Sequence, residues 1–254
     1  MSLIINPYFV APAGGGADFD YTNMLWRVRA ADITGKSDND SLDTVVWLDT
    51  SGNSRNWTFH ACLYRTNQVN GHPAIQFGGQ INDDYVTGID ISALSLSEID
   101  VYLVVQALND PPGSNSNAGL WQMCPTGSSY YAVSLYPTIA GNIEDGAFTP
   151  ATSDQRVIGN PTPSLTSWRL YRVVAKSGTN NHQSFVDGTT LATRTDTPSF
   201  PTSSRLGKNQ DGDGLTFWFQ GMQAEFFAFS TKAIGSQYTS IKDYVNSYYG
   251  LSVS

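Results

Sequence analysis

The chain has 254 residues, a formal net charge of −8 and a sequence pI near 4.6. That acidity, without any basic run, argues against electrostatic binding to nucleic acid or to an anionic membrane surface. Hydrophobic residues make up 40%, aromatic residues 12% and charged residues only 14%, with 23 glycines; this favours a turn-rich all-β fold over a helical one, at a length ordinary for one large β-sandwich.

Residues 1–22 read as an arm. Ile4, Ile5, Tyr8, Phe9 and Val10 offer one short strand, and Pro7, Pro12 and the run Gly14-Gly15-Gly16 break any longer element. Such an arm either packs on its own domain or docks on a neighbour. Its start, MSLIINPYFV, lacks the cationic region and apolar length of a signal peptide, and no stretch approaches the roughly 18 apolar residues of a membrane span, so no membrane insertion is expected.

Residues 45–48 read as a strand, followed by a turn at Asp49, Thr50, Ser51, Gly52 and Asn53, where Asp and Ser bond nearby amides and Gly and Asn accept positive φ. The run Val69-Asn70-Gly71-His72 enters a hairpin whose next strand turns Ala74 and either Ile75 or Phe77 inward. Asn82-Asp83-Asp84-Tyr85-Val86 starts another strand, and residues 99–108, IDVYLVVQAL, form the clearest central one, apolar on both faces. After a polar loop at 109–119 come strands at 120–124 and 130–136, then a long loop holding a short strand near Arg156-Val157-Ile158. Residues 168–176 and 184–192 form a hairpin turning at Asp187-Gly188. The aromatic run 215–229 suits one or two strands buried on both faces, with Gly221 as a bend or bulge. Ile234, Tyr238, Ile241, Val245 and Tyr248 then recur on one helical face, with Ser236 placed to cap the start and Gly250 the end.

Several of these motifs resemble laminin-G-like jelly-roll domains of the concanavalin A-like lectin/glucanase class, as found in bacterial surface and bacteriophage structural proteins. The matching residues are Ala31, Asp32, Asp40, Val46, Trp47, Asp49, Ser51, Gly52, Asn53 and Arg55; the runs from Asn70 to Phe77 and from Asp83 to Val86; Val186-Asp187-Gly188; and Gly221, Ala224, Glu225, Phe226, Phe227, Tyr244, Tyr249, Gly250 and Leu251. The resemblance spans residues 25–251. It implies an all-β, concanavalin A-like jelly-roll sandwich of two antiparallel sheets with a C-terminal α-helix over residues 23–254, behind the arm 1–22. It also implies glycan binding or adhesion without catalysis. A fold usually displayed outside cells, a start without a secretion signal and a nearly one-domain chain lead to a finer expectation. This is a bacteriophage virion protein, a capsid decoration or tail-fibre component, that meets a surface glycan and, through its arm, other virion proteins or its own copies. The alternatives are a carbohydrate-binding module of a bacterial extracellular protein and a glycoside hydrolase.

Relatives that hydrolyse β-glucans carry E-x-D-x-x-E on one strand, because glycoside hydrolysis needs two carboxyl groups a set distance apart. Here Glu98 and Asp100 supply E-x-D, but Leu103 stands where the second glutamate belongs, and Glu225 belongs to another motif as a hydrogen-bonding anchor. His60, His72 and His182 lack ligand spacing and read as structural. Asn209, Asp211 and Asp213 present alternating oxygen ligands, which leaves open a loop calcium site or a plain polar turn. Trp121, Tyr130, Ser134 and Tyr136 offer aromatic platforms beside a hydroxyl; they either stack sugars or pack into the sandwich. Cys62 and Cys124 sit in apolar settings, as buried thiols or as a single bridge.

Overall fold

The computed structural model describes residues 18–78, 84–88, 91–108, 119–124, 132–135, 143–146, 156–159, 164–196, 203–210 and 216–254. Along them run β1 (Met24–Arg29), β2 (Val46–Trp47), β3 (Trp57–His60), β4 (Leu63–Val69), β5 (His72–Gly78) and β6 (Tyr85–Thr87). Next come β7 (Glu98–Ala107), β8 (Gly119–Cys124), β9 (Ala132–Leu135), β10 (Ile143–Gly146), β11 (Arg156–Gly159) and β12 (Arg169–Lys176). The last are β13 (Gly178–Val186), β14 (Thr189–Asp196), β15 (Ser203–Leu206), β16 (Lys208–Gln210), β17 (Thr216–Trp218), β18 (Gln220–Phe229) and the helix α1 (Gly235–Tyr249). The first sheet is ordered β14-β13-β12-β7-β18-β5-β4, with β1 also on β18; the second is β11-β10-β9-β8-β15-β6-β3-β2; β16 and β17 form a separate ribbon. β18 pairs antiparallel with β7 on one side and, on the other, with β5 through residues 220–223 and with β1 through 225–229. This is the expected jelly-roll sandwich with its C-terminal helix.

Two apolar layers hold it together. Between the sheets lie Trp26, Val28, Trp47, Trp57, Phe59, Phe77, Val86, Leu103, Trp121, Leu206 and Phe226, all fully buried. The second layer, outside the first sheet, packs Phe19, Tyr102, Val104, Leu170, Phe227 and Phe229 against Ile241, Tyr244, Val245 and Tyr249 of α1. β7 and β18 are therefore buried on both faces, which is why their sequences read as continuous apolar runs. Each large side chain so removed from water contributes about 1.5–3 kcal/mol.

The irregularity in β18 is not at Gly221. The ladder slips between Gln223 and Glu225, opposite Val105 and Val104. Gly221 is instead required by proximity: a Cβ there would collide with the Gln106 carbonyl and the Phe219 ring. The extra residue, Ala224, flips the alternation. Gln223 reaches the second sheet through the Leu120 carbonyl, whereas Glu225, Phe227 and Phe229 all face α1.

The buried face of the helix differs from the expected one. The helix buries Ile241, Tyr244, Val245 and Tyr249, while Ile234 is 69% exposed and Tyr238 and Tyr248 are half-buried. Ser236 does not cap it; Ile234 occupies the N-cap without a side-chain bond, and Gly250 closes the other end in the left-handed conformation. Residues 18–22, read from sequence as arm, are packed: Phe19 is 4% exposed between Phe227 and Tyr244, and Gln237 donates to the Asp20 and Thr22 carbonyls. Residues 1–17 lie outside the described residues.

Candidate functional site

Under α1 a buried polar network joins the helix to the first sheet, with Arg27 Nη2 left without a hydrogen-bond partner. The bulge aims Glu225 at a fully buried pocket, where its Oε1 accepts from Arg27 Nε at 2.6 Å and its Oε2 from the hydroxyls of Tyr244 and Tyr249, each at 2.7 Å. Arg27 also pairs with Asp18 at 2.7 Å and lies 4.6 Å over the Phe19 ring and 4.7 Å over that of Tyr244. Burial opposes charge on Asp18, but Arg27, the Tyr21 hydroxyl and the Phe19 amide together hold its carboxyl below the ordinary value. The network fastens α1 and the 18–22 strap to the first sheet.

The same holds for the E-x-D pair. Asp100 is fully buried and takes Arg172 bidentately at 2.8 and 2.7 Å, the Ala233 amide at 2.8 Å and the Tyr102 hydroxyl at 3.0 Å. Arg172 returns a bond to the Ala233 carbonyl, so the pair pins the entry to α1. Glu98 meets the exposed Lys176 at 2.5 Å, and Leu103 is a core residue. The motif around Asp49 is structural as well. Its carboxylate accepts from the Arg27, Ser51 and Arg55 amides, while Asn53 and Arg55 donate to the Leu25 carbonyl of β1.

The outer face of the second sheet is different. Alternation along β3 (Trp57 in, Thr58 out, Phe59 in, His60 out) and β6 (Tyr85 out, Val86 in, Thr87 out) keeps Trp57, Phe59 and Val86 fully buried and leaves Thr58, His60, Tyr85 and Thr87 partly exposed. Register aligns Val46, Thr58, Thr87 and Arg205 in one row across β2, β3, β6 and β15, and sets His60 opposite Tyr85. The His60 ring stacks on Tyr85 at 4.1 Å and 12°, and Trp218 stands 6.1 Å from Tyr85 at 58°. With its hydroxyl hydrogen directed at the Thr58 carbonyl (3.4 Å), Thr87 accepts from His60 Nε2 (3.1 Å). Val46 is 48% exposed at the sheet edge. The result is a surface of aromatic rings beside hydroxyls, an imidazole and a guanidinium, suited to an apolar ring face that carries polar edges. Behind it, burial pushes the Cys62 thiol well up; Cys62 is free and bonds the His60 and Tyr85 carbonyls.

Trp121 is a correction. Its ring is fully buried in the inter-sheet core, so it offers no surface to a sugar. Ser134 lies on β9 as its register partner, and Tyr130 and Tyr136 fall outside the described residues. Asn209 is in β16, paired opposite Phe217, whereas Asp211 and Asp213 fall outside the described residues. Among the described residues no three His, Cys, Asp or Glu side chains come within reach of one metal ion. His60, Tyr85, Thr87, Arg205 and Trp218 were not singled out as a site from sequence. Their signal was present in the short alternations W-T-F-H and Y-V-T, which put polar residues opposite a buried face.

No family model and no curated protein matches the chain. Solved structures do. The chain is similar to the binding domain of botulinum neurotoxin DC in complex with rat synaptotagmin II, at TM-score 0.63 and 10% identity over 88% of this chain and 51% of that one. It is similar to the same toxin's binding domain in complex with SialylT, at TM-score 0.62 and 8% identity with the same coverage, 88% and 51%. A mutant of Trypanosoma rangeli sialidase displaying trans-sialidase activity matches at TM-score 0.60 and 13% identity, over 94% of this chain and 35% of that one. At such identities the likeness is one of fold, and the chain spans about half the length of the toxin domains.

Proposed function

We propose that this chain is a non-enzymatic glycan-binding domain that acts in adhesion, with its sugar face on the outer side of the second sheet. The observation that carries this reading is the partly exposed array of Tyr85, Trp218, His60, Thr58 and Thr87 on the outer face of the second sheet. Aromatic faces take the C–H side of a pyranose, and hydroxyls and imidazole take its edges. The glycan-related names among the similar structures, a neurotoxin binding domain in complex with SialylT and a sialidase, support the class of ligand. Catalysis is disfavoured because Glu98 and Asp100 serve ion pairs. The finer form of the reading is display on a bacteriophage particle, as a capsid decoration or tail-fibre component, with residues 1–17 meeting other virion proteins or further copies. It is supported by the motif resemblance to laminin-G-like domains of phage structural proteins. A glycan array probed with wild type and with Tyr85→Ala tests the reading. Binding to some glycans that the variant loses, at an unchanged melting temperature, supports it; equal binding by both proteins, or turnover of β-glucans by wild type, overturns it.

A further inference from the structure

Arg205 gives the outer face of the second sheet a cation in a chain whose net charge is −8. Its neighbour Leu206 is fully buried between the sheets, and Arg205, partly exposed, stands in register opposite Thr87, which in turn pairs with Thr58 on the next strand. Tyr85, two residues from Thr87 on the same side of β6, carries the aromatic floor with Trp218. A ring stacked on that floor therefore has a guanidinium at its edge.

We infer that the site selects acidic glycans, those with a carboxylate on the pyranose, and that Arg205 is the residue that selects them. This rests on the reading of the face as a sugar site and names its ligand class. A guanidinium holds carboxylates in a planar two-bond geometry that neutral hydroxyls do not match. Arg205 is engaged within the protein, and a guanidinium, with five N–H donors, can hold more than one partner at once. The acidity of the rest of the chain does not defeat this selection. Charges more than about 8 Å away are screened at physiological ionic strength, whereas a direct contact is not.

The test uses matched ligand pairs that differ only in the acidic group: sialyllactose against lactose, and polygalacturonate against its methyl ester. Binding is measured by calorimetry or biolayer interferometry on wild type, Arg205→Gln and Tyr85→Ala, each first shown to keep its melting temperature. The expected result is that wild type prefers the acidic member of at least one pair about tenfold or more, a charge-assisted contact's worth. Arg205→Gln should bring the two members within about twofold, and Tyr85→Ala should weaken both. Equal binding of both members by wild type, or a preference that survives Arg205→Gln, overturns the inference while leaving the sugar face standing. Binding of no member of either pair overturns the acidic selection, and Tyr85→Ala on the full array then decides separately whether the face binds sugar at all. If Arg205→Gln does not fold, Arg205→Lys replaces it: a retained charge without the planar fork should keep part of the preference.

Discussion

At the scale of the residue, Glu225 shows how far one side chain is legible. Sequence marks it as an acid inside an aromatic run, hence an anchor needing partners. It cannot name Arg27, which lies 198 residues away, because the pairing exists only once β1 lies on β18. Removing one member of a buried pair costs about 3–5 kcal/mol, as it strands the other charge. Glu225→Ala is therefore expected to lower the melting temperature by at least about 6 °C, and Glu225→Gln, which keeps an acceptor for Tyr244 and Tyr249, by less; differential scanning calorimetry reads both. His72 gives a second expectation. Its ring stacks on Tyr248 at 3.8 Å, and burial, with Arg29 adding to it, pushes its imidazole below the ordinary value. The folded state then binds fewer protons than the unfolded one just below pH about 6.5, so stability rises with pH across that window and is lost as pH falls through it. His72→Gln should flatten that slope in unfolding free energies measured between pH 5 and 7.

At the scale of the element, the strands were the most readable part, since alternation and turn chemistry are local. Asp187 and Gly188 both take positive φ in the β13–β14 turn, as the Asp-Gly pair implies. The helix was readable in place but not in rotation. Spacing alone made Tyr238 and Tyr248 as good as Tyr244 and Tyr249, and what separates them is Glu225, whose oxygens the last two hydroxyls reach. The bulge at Ala224 was missed for a similar reason: nothing in Q-A-E says that the alternation flips there, and the purpose of the flip lies in residues far along the chain. Ile241 is fully buried on either reading of the face. Ile241→Asp should accordingly destabilise the domain strongly, by burying an unpaired charge, whereas Ile234→Asp, at an exposed site, should leave the melting temperature nearly unchanged.

At the scale of the whole molecule the two outer sheet faces differ. One is covered at its centre by α1 and the 18–22 strap; the other carries Thr58, His60, Tyr85, Thr87, Arg205 and Trp218 partly in water. The strap makes a separate expectation: deleting residues 2–22 should lower the melting temperature more than deleting 2–16, because only the longer deletion removes Asp18 and Phe19. The composition and motifs reached the sandwich, and the aromatic content pointed to sugar. The position of the face escaped them because inward and outward sides of β8 and β9 cannot be told apart without their partners, and Trp121 turned inward. The sugar face is a place on the molecule, so a residue-by-residue map of binding tests it most directly. Uniformly 15N-labelled protein titrated with the strongest glycan from the array should show amide shifts concentrated on β3, β6, β15 and β17, with Thr58, His60, Tyr85, Thr87, Arg205 and Trp218 among them. Shifts confined to α1 and the strap, or to parts of the chain remote from those four strands, would contradict it.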